Sequence, residues 1–424
     1  ARGALSEQIR PIHGVDVRSY RASVFTPVGF RPGAKPGSLV TVYPLGYPLH
    51  LAAASWAVGL DRAAAWVNAA AFAAAVVLLY GIALQLGLSP WFGLVAAVVF
   101  ACFPVTVLAF TRVMSDGVAT AWCVAAFFLA LGSHRRQWMA VAAGLAFGGS
   151  VLVRPTNLVI GPALILAMPF DRPTILRFLM GGAPVAVFNG LCNVHLYGRL
   201  FATGHTGQGQ YFSLANVWPC TVFFAKWLGR FLSPLPLVLA AVGVWKAIKG
   251  DRRMLAVLAC VAAVIGVYSF YWHSYTGGWW RLRYILPALP ALLLGALMVA
   301  AELLPAVRRR AVSSRPARAL LAAGLVVAVG WPVGVSLHKV ASGRLWAVSR
   351  QDETNLKTVK WMEGRVEPSA IIMAFELSGS LHFYSTHPIV RYDELTGREL
   401  ERLRREAAAA GVPIYSLLNP VDMA

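Results

Sequence analysis

Long apolar stretches separated by short basic loops dominate the chain from residue 62 to residue 338. Most are long enough to cross about 30 Å of hydrocarbon as an α-helix. The pattern therefore predicts an all-α, polytopic membrane protein. The predicted spans cover residues 62–86, 90–111, 117–133, 138–168, 176–197, 233–248, 254–272, 284–304 and 319–338.

The stretch 138–168 is too long for one simple crossing and contains Arg154-Pro155. Proline lacks an amide donor and disfavours helix at the residue before it. We therefore expect two short half-helices that meet at one membrane surface, which gives about ten crossings in all. Residues 41–60 are also apolar, but their prolines favour a helix that lies at the membrane surface.

The short basic loops predict the orientation of the spans. If residues 138–168 cross twice, all of these loops fall on one side, which the positive-inside rule assigns to the cytoplasm. The arm before residue 36 is also basic, but long arms translocate largely regardless of charge. The basic residues of the loops are Arg135, Arg136, Arg172, Arg177, Lys246, Lys249, Arg252, Arg253, Arg308, Arg309, Arg310, Arg315 and Arg318.

Three parts follow from this orientation. Residues 1–60 form an extracytoplasmic first loop with an interfacial helix, and residues 61–340 form the transmembrane domain. Residues 345–424 have a soluble pattern and form a small extracytoplasmic α/β appendage. Its predicted elements are strands in 370–375 and 413–418 and a helix in 399–410.

Composition agrees with a bilayer environment. Hydrophobic residues make up 58% of the 424 residues and charged residues only 13%, whereas soluble domains carry about 25% charged residues. Much of the net charge of +20 lies in the short loops between spans, so the charge indicates membrane topology and not nucleic-acid binding. The five cysteines show neither a disulfide framework nor a metal-ligand spacing.

The amino-terminal arm bears on membrane insertion. Residues 1–35 are polar and basic, with neither an initiator Met nor a signal peptide. An extracytoplasmic arm with no helix before it is difficult to insert. We therefore expect one more membrane helix upstream of residue 1.

Ionisable residues close to membrane spans are costly and therefore mark candidate sites. Asp116 lies where a helix restarts on the predicted outer surface. It either caps that helix or serves as a carboxylate that orients an acceptor or assists a catalytic base. Arg154 either satisfies backbone carbonyls at the helix break or projects outward as a phosphate ligand.

Two further regions contain candidate binding residues. Arg281 and Arg283 follow a pair of tryptophans, an arrangement that suits a lipid-linked phosphate at the interface. The alternative is an aromatic belt with arginines that extend to water. The loop from Tyr197 to residue 210 is rich in glycine and small polar residues, but its spacing matches no phosphate-binding motif, and His205 within it is more simply a hydrogen-bonding residue.

Several segments occur in an order that resembles the C-type integral membrane glycosyltransferases, which use a polyprenyl-phosphate sugar. This group contains the protein O-mannosyltransferases and the lipid A aminoarabinose transferase. The resemblance covers about residues 40–300 and continues into the appendage. The resembling segments are residues 42–48, 111–116, 152–155, 193–204 and 283–290.

The resemblance implies an inverting transfer of a sugar from a polyprenyl-phosphate donor to a glycan, lipid or protein acceptor outside the cytoplasm. A carboxylate would activate the acceptor, and basic residues would hold the departing phosphate. By position, Asp116 is the acid of the second outer loop, and Arg154 is the basic residue after the break. Arg281 and Arg283 are phosphate candidates by local chemistry.

Other candidates complete the predicted site. Asp16 is a second catalytic candidate, and Lys35 replaces the phosphate-binding lysine of the family's Lys-Pro-Pro-Leu motif, which reads Val-Tyr-Pro-Leu here. The family's principal acid is expected upstream of residue 1. No cofactor is implied, and participation of a divalent metal is left open. The residues expected to line the substrate loop are Tyr197, Thr203, His205 and Tyr284.

The expected location is the bacterial inner membrane, where membrane lipids and a larger membrane complex are the further expected partners. Two other functions stay open. A noncatalytic glycosyltransferase-like subunit would share these features without transfer. A lipid or sugar transporter would show paired broken helices in corresponding halves, whereas only one broken span is visible in the sequence.

Overall fold

The computed structural model describes residues 6–202, 204, 208–311, 315–345 and 350–418. The chain forms two compact units. We call the one made of Leu45–Phe188 and Gly207–Ala347 the helical unit. The other, made of Ala1–Pro44, Asn189–Thr206 and Val348–Ala424, is the sheet unit.

Thirteen helices within the described ranges account for the apolar part of the chain. They are α1 Gly46–Val58, α2 Leu60–Gln85, α3 Pro90–Cys102, α4 Pro104–Thr111, α5 Ser115–Gly132, α6 Trp138–Val153, α7 Gly161–Ala167, α8 Arg172–Tyr197, α9 Val217–Leu232, α10 Leu235–Ile248, α11 Arg252–Ser269, α12 Leu289–Ala311 and α13 Arg315–Ser342. The principal 3₁₀ segments are Pro155–Ile160, Gln208–Tyr211, Trp272–Ser274 and Trp279–Ala288.

The chain is a multi-pass membrane protein. In its described part, six helical segments are long and apolar enough to cross a membrane, and each overlaps a predicted span. Two bent pairs, α3 with α4 and the segment Leu214–Leu232 with α10, raise this number to eight if each pair is one span. The expected count of about ten also includes the two shorter helical pieces Trp138–Val153 and Pro155–Ala167, and it stays a prediction.

Two expectations about these helices need correction. The predicted span 90–111 is bent by 61° where α3 ends before Pro104, because that proline begins a new helix. The segment between the predicted spans 176–197 and 233–248, which those spans leave as a loop, contains the 16-residue helix α9. Its basic residues Lys226 and Arg230 lie four apart and are exposed, while aromatic and aliphatic residues at helical spacing are buried.

The sheet unit draws its core from both ends of the chain. An antiparallel sheet contains β1 Glu7–Gln8, β2 Phe30–Pro32 and β3 Ser38–Thr41 in the order β1-β3-β2. A parallel sheet contains β4 Ile371–Met373, β5 Ile389–Val390 and β6 Ile414–Ser416 in the order β5-β4-β6. The remaining helices are α14 Arg350–Met362, α15 Ser378–Tyr384 and α16 Gly397–Ala409.

The amino-terminal arm packs against this parallel sheet. Val24 and Phe25 of the arm share one buried cluster with Ile371, Val390 and Leu403. The arm and the carboxy-terminal appendage were predicted as separate parts, whereas in the structure they share one core. The reason is that neither segment has enough apolar surface to bury alone.

Two glycines allow α6 and α8 to approach each other closely. A Cβ atom added to Gly144 would lie 1.9 Å from the carbonyl oxygen of Phe178, and one added to Gly181 would lie 1.9 Å from that of Val141. Both obstacles are backbone atoms, so a larger residue requires the helices to move apart. Small residues at such contacts are the usual means of packing helices in a membrane.

We predict that Gly144→Ala destabilises the helical unit by about 1–3 kcal/mol, the range for overpacked cores. The measurement is the thermal unfolding midpoint in detergent. Gly266→Ala in α11 is the matched control, because an added Cβ there meets no atom within 4 Å. Equal midpoints for Gly144→Ala and the wild-type protein would contradict the close approach of α6 and α8.

Candidate functional site

A buried ion pair joins the start of α5 to the end of α6. The guanidinium group of Arg154 donates a hydrogen bond from Nη1 to Oδ1 of Asp116. The two side chains are only 14% and 9% exposed. Each charge would be costly in this environment without the other, so the pair fixes the position of both side chains.

The structure bears on the capping reading of Asp116. Helix α5 begins at Ser115, and its N-cap residue is Met114, which makes no side-chain capping bond. Asp116 lies within the first turn, where a negative charge is favoured by the helix dipole. The carboxylate therefore does not cap the helix, and its partner is Arg154.

Arg154 owes its position to the break that the sequence predicts. Helix α6 ends at Val153, and Arg154 has extended backbone angles before the 3₁₀ segment that Pro155 begins. Besides its contact with Asp116, Arg154 Nη1 lies 3.5 Å from the carbonyl oxygen of Arg283. Arg154 therefore contacts a backbone carbonyl, as one reading expects, and its role as a phosphate ligand stays a prediction.

Three guanidinium groups lie close to the ring of Tyr284. The Cζ atoms of Arg283, Arg154 and Arg281 lie 5.2, 5.6 and 6.0 Å from its centroid. Arg281 Nη1 also donates a hydrogen bond of 3.1 Å to the Tyr284 hydroxyl. Residues three apart are aligned in a 3₁₀ helix, and this geometry explains why Arg281 reaches Tyr284.

Two buried guanidinium nitrogens have no hydrogen-bond acceptor among the described residues. They are Nε of Arg283 and Nη1 of Arg112. A buried donor without an acceptor costs about 1–3 kcal/mol. Anionic oxygens such as those of a phosphate would satisfy both donors.

Sequence reasoning missed Arg112 as a candidate, although it lies in the same predicted outer loop as Asp116. Its backbone is held by a buried polar chain, in which Asn68 Nδ2 donates to the Arg112 carbonyl at 2.6 Å. Tyr47 in turn donates to Asn68 Oδ1 at 3.2 Å. A buried asparagine in an apolar span was the available signal, because such an amide needs partners.

Tyr268 was also missed. Its ring stacks on that of Tyr284 at 5.4 Å and lies 5.4 Å from Cζ of Arg154. Its hydroxyl is 2.8 Å from that of Thr156, which follows the helix break. Tyr268 thus connects the end of α11 to the Arg154 break. We call Asp116, Arg154, Arg281, Arg283, Tyr268 and Tyr284 the arginine cluster.

The remaining predicted residues belong to the sheet unit. Asp16 is exposed and caps the 3₁₀ turn Val17–Ser19 by accepting a hydrogen bond of 3.2 Å from the Arg18 amide. Lys35 is exposed. Tyr197 donates to the Thr41 carbonyl at 2.9 Å. Thr203 and His205 lie outside the described residues.

Metal binding was left open by the sequence. Across the described ranges, no group of three or more His, Cys, Asp or Glu side chains is arranged to hold a metal ion. The charge that the arginine cluster offers to a ligand is positive. The arginine cluster is therefore suited to bind an anion through its own guanidinium groups.

Comparison with known proteins gives the fold. No protein-family model and no curated protein sequence matches the chain. The structure of ArnT from Cupriavidus metallidurans bound to undecaprenyl phosphate is similar, with a TM-score of 0.54 at 16% identity over 88% of this chain and 79% of that one. Its apo state gives a TM-score of 0.53 at 15% identity with the same coverage.

The Archaeoglobus fulgidus oligosaccharyltransferase, tethered with an acceptor peptide that contains the NVT sequon, is also similar. Its TM-score is 0.55 at 12% identity, over 92% of this chain and 61% of that one. Both neighbours are GT-C proteins. The chain therefore has the GT-C fold. The resemblance to C-type glycosyltransferases is confirmed for the GT-C architecture, while the roles of individual residues stay predictions.

We predict that Arg154→Met costs the protein about 3–5 kcal/mol of stability, because the Asp116 carboxylate would stay buried without its partner. The double variant Asp116→Asn with Arg154→Met should recover part of the loss, since no buried charge then lacks a partner. Thermal unfolding in detergent measures both effects. Arg62→Met, at an exposed position in α2, is the control. If Arg154→Met were as stable as this control, the ion pair would not be needed for stability.

Proposed function

We propose that this protein is an integral membrane glycosyltransferase. It transfers a sugar from a polyprenyl-phosphate donor to an acceptor on the extracytoplasmic face of the bacterial inner membrane, with inversion at the anomeric carbon. The observation that carries the proposal is the arginine cluster, with a buried guanidinium donor of Arg283 that has no acceptor among the described residues. Support comes from the shared fold with ArnT, whose structure contains undecaprenyl phosphate.

The arginine cluster suits a phosphate leaving group. In the transfer, an acceptor atom forms a bond to the anomeric carbon as the bond from that carbon to the phosphate oxygen breaks. The electron pair of the broken bond stays on the phosphate, so negative charge develops there. Arg281 and Arg283 would bind this phosphate, and the fixed guanidinium groups would stabilise the developing charge.

Asp116 has a different role in this proposal. Its carboxylate holds Arg154 against Tyr284 and orients the acceptor or assists the catalytic base. Asp16 as a second catalytic residue and Lys35 as a further phosphate ligand stay predictions. The substrate-loop role of Tyr197, Thr203 and His205 also stays a prediction.

We predict that Asp116→Asn lowers the rate of transfer by about 10²-fold or more, the lower range for loss of acid–base assistance. Asparagine keeps an oxygen that can accept from Arg154, so the protein should stay folded. The measurement is transfer of labelled sugar from an undecaprenyl-phosphate donor to acceptors in membranes. Asp61→Asn at the exposed start of α2 is the control, and wild-type turnover by Asp116→Asn would remove this residue from the mechanism.

We predict that Arg281→Gln combined with Arg283→Gln raises the Kd for undecaprenyl phosphate at least tenfold, because two bidentate phosphate donors are lost. Binding is measured by titration of the purified protein in detergent. The control is Arg62→Gln combined with Arg253→Gln, which removes the same charge at exposed positions. An unchanged affinity of the Arg281→Gln, Arg283→Gln variant for undecaprenyl phosphate would reject the role of these arginines in donor binding. A wild-type protein that binds the lipid but transfers no sugar would favour the alternative of a noncatalytic subunit.

A further inference from the structure

Helix α9 differs sharply in direction from the helix that follows it. The segment Leu214–Leu232, which contains α9, is bent by 115° from α10. Ser233 forms the break with a left-handed φ of 66°, and Pro234 precedes the first turn of α10. Because α10 corresponds to the predicted span 233–248, a segment at this angle to it lies close to the plane of the membrane. Helix α9 therefore has the direction of an interfacial helix.

The side chains of α9 form an exposed apolar face and a buried face. Trp218 and Val222 are four residues apart and exposed. Phe224 and Phe231 are buried in the main core of the helical unit. In a helix that lies at the membrane surface, lipid chains cover the exposed apolar face.

The two basic residues of α9 lie on one edge between these faces, and we call Lys226 and Arg230 the basic edge. They are exposed and four residues apart, so they point to the same side of the helix. Leu228 and Leu232 each follow one of them by two residues, which places these buried leucines near the opposite side. This arrangement orients the basic edge toward the lipid headgroups and the leucines toward the hydrocarbon.

Both cations of the basic edge contact the same tryptophan. Nζ of Lys226 and Cζ of Arg230 lie 5.5 and 5.6 Å from the ring centroid of Trp227. Tryptophan rings concentrate at headgroup depth in membrane proteins. The contacts with Trp227 therefore hold a lysine and an arginine at the level of the lipid phosphates.

Carboxylates are absent from the sequence around the basic edge, since the chain has no Asp or Glu between residues 207 and 250. None of the ion pairs among the described residues involves Lys226 or Arg230. The two positive charges are therefore available to an anion that the chain does not supply.

A row of aromatic rings connects the basic edge to the 3₁₀ segment Trp279–Ala288. Trp227 stacks on Phe231 at 5.9 Å, and Phe231 meets Trp279 at 5.9 Å with steeply inclined planes. Lys339, in the last turn of α13, lies 5.5 Å from the ring centroid of Trp279. The basic edge therefore lies on the same side of the membrane as the arginine cluster.

We propose that the basic edge binds the phosphate of a phospholipid with a net negative charge, such as phosphatidylglycerol. The phosphate of this lipid has no cation of its own, whereas the choline of phosphatidylcholine neutralises its phosphate. The chains of the same lipid cover Trp218 and Val222, so one ligand accounts for the charge and for the exposed apolar face. This binding is separate from the arginine cluster and does not rest on the proposed glycosyltransferase function.

Native mass spectrometry of the purified full chain tests the proposal. The protein in detergent is mixed with equal amounts of phosphatidylglycerol and phosphatidylcholine, and the wild type should retain phosphatidylglycerol in preference. Lys226→Gln combined with Arg230→Gln should lower the affinity for phosphatidylglycerol about 25-fold, because each basic residue near an anionic lipid contributes about fivefold. Lys226→Arg keeps the charge and should bind as the wild type does.

Thermal unfolding in detergent is measured in parallel. Phosphatidylglycerol should raise the midpoint of the wild type, because a ligand of the folded state stabilises it. The double variant should have the wild-type midpoint without lipid and should lack this rise. Arg398→Gln combined with Arg405→Gln removes the same charge at exposed positions of α16 and is the matched control. It should bind phosphatidylglycerol as the wild type does.

Several outcomes would overturn the inference. Equal retention of the two lipids by the wild type, or unchanged preference in the double variant, would exclude a headgroup site at the basic edge. A lower midpoint of the double variant without lipid would assign the two residues a structural role.

Two further outcomes would assign the basic edge to another ligand. Displacement of phosphatidylglycerol by an equimolar amount of undecaprenyl phosphate would assign it to the glycosyl donor. A wild-type dimer that dissociates in the double variant would assign this face of α9 to a second copy of the chain. Because none of these measurements uses sugar transfer, their results are distinguishable from a failure of the proposed function.

Discussion

The buried pairing of Asp116 with Arg154 is the constraint on which the candidate site depends. Burying a charged side chain away from water is costly. Neither Asp116 nor Arg154 has another charged partner among the contacts described above. The pair therefore ties the first turn of α5 to the break after α6. With Arg154 fixed in this way, its guanidinium group lies over Tyr284, and the neighbouring arginines reach the same ring.

Irregular backbone supplies every charged group of the arginine cluster apart from Asp116. Arg154 follows the end of α6, and Arg281 and Arg283 lie in the 3₁₀ segment Trp279–Ala288. In a membrane protein such backbone is tolerated where other protein groups or a water-filled cavity satisfy it. A polar site in an apolar helical protein is therefore expected where the helices are interrupted. At these breaks the side chains can also point in directions that a continuous helix would not allow.

Much of this arrangement could be predicted from local sequence, and the rest depends on contacts between distant residues. The break at Arg154 was predictable because proline restricts the residue before it. Helix α9 was missed because Lys226 and Arg230 interrupt its apolar pattern, although their spacing of four places them on one face. The Nη1 donor of Arg112, which has no acceptor among the described residues, is a property of packing that no local pattern contains.

The sheet unit has a consequence for biosynthesis. Arg21 pairs with Glu399 at 3.0 Å, and the sequence separation of these partners is 378 residues. During synthesis the arm is made long before the strands and helix that complete its core. Contacts of such long range form slowly. The arm must therefore stay unfolded, and accessible to proteases and chaperones, until the intervening membrane helices and the strands of the parallel sheet have been made.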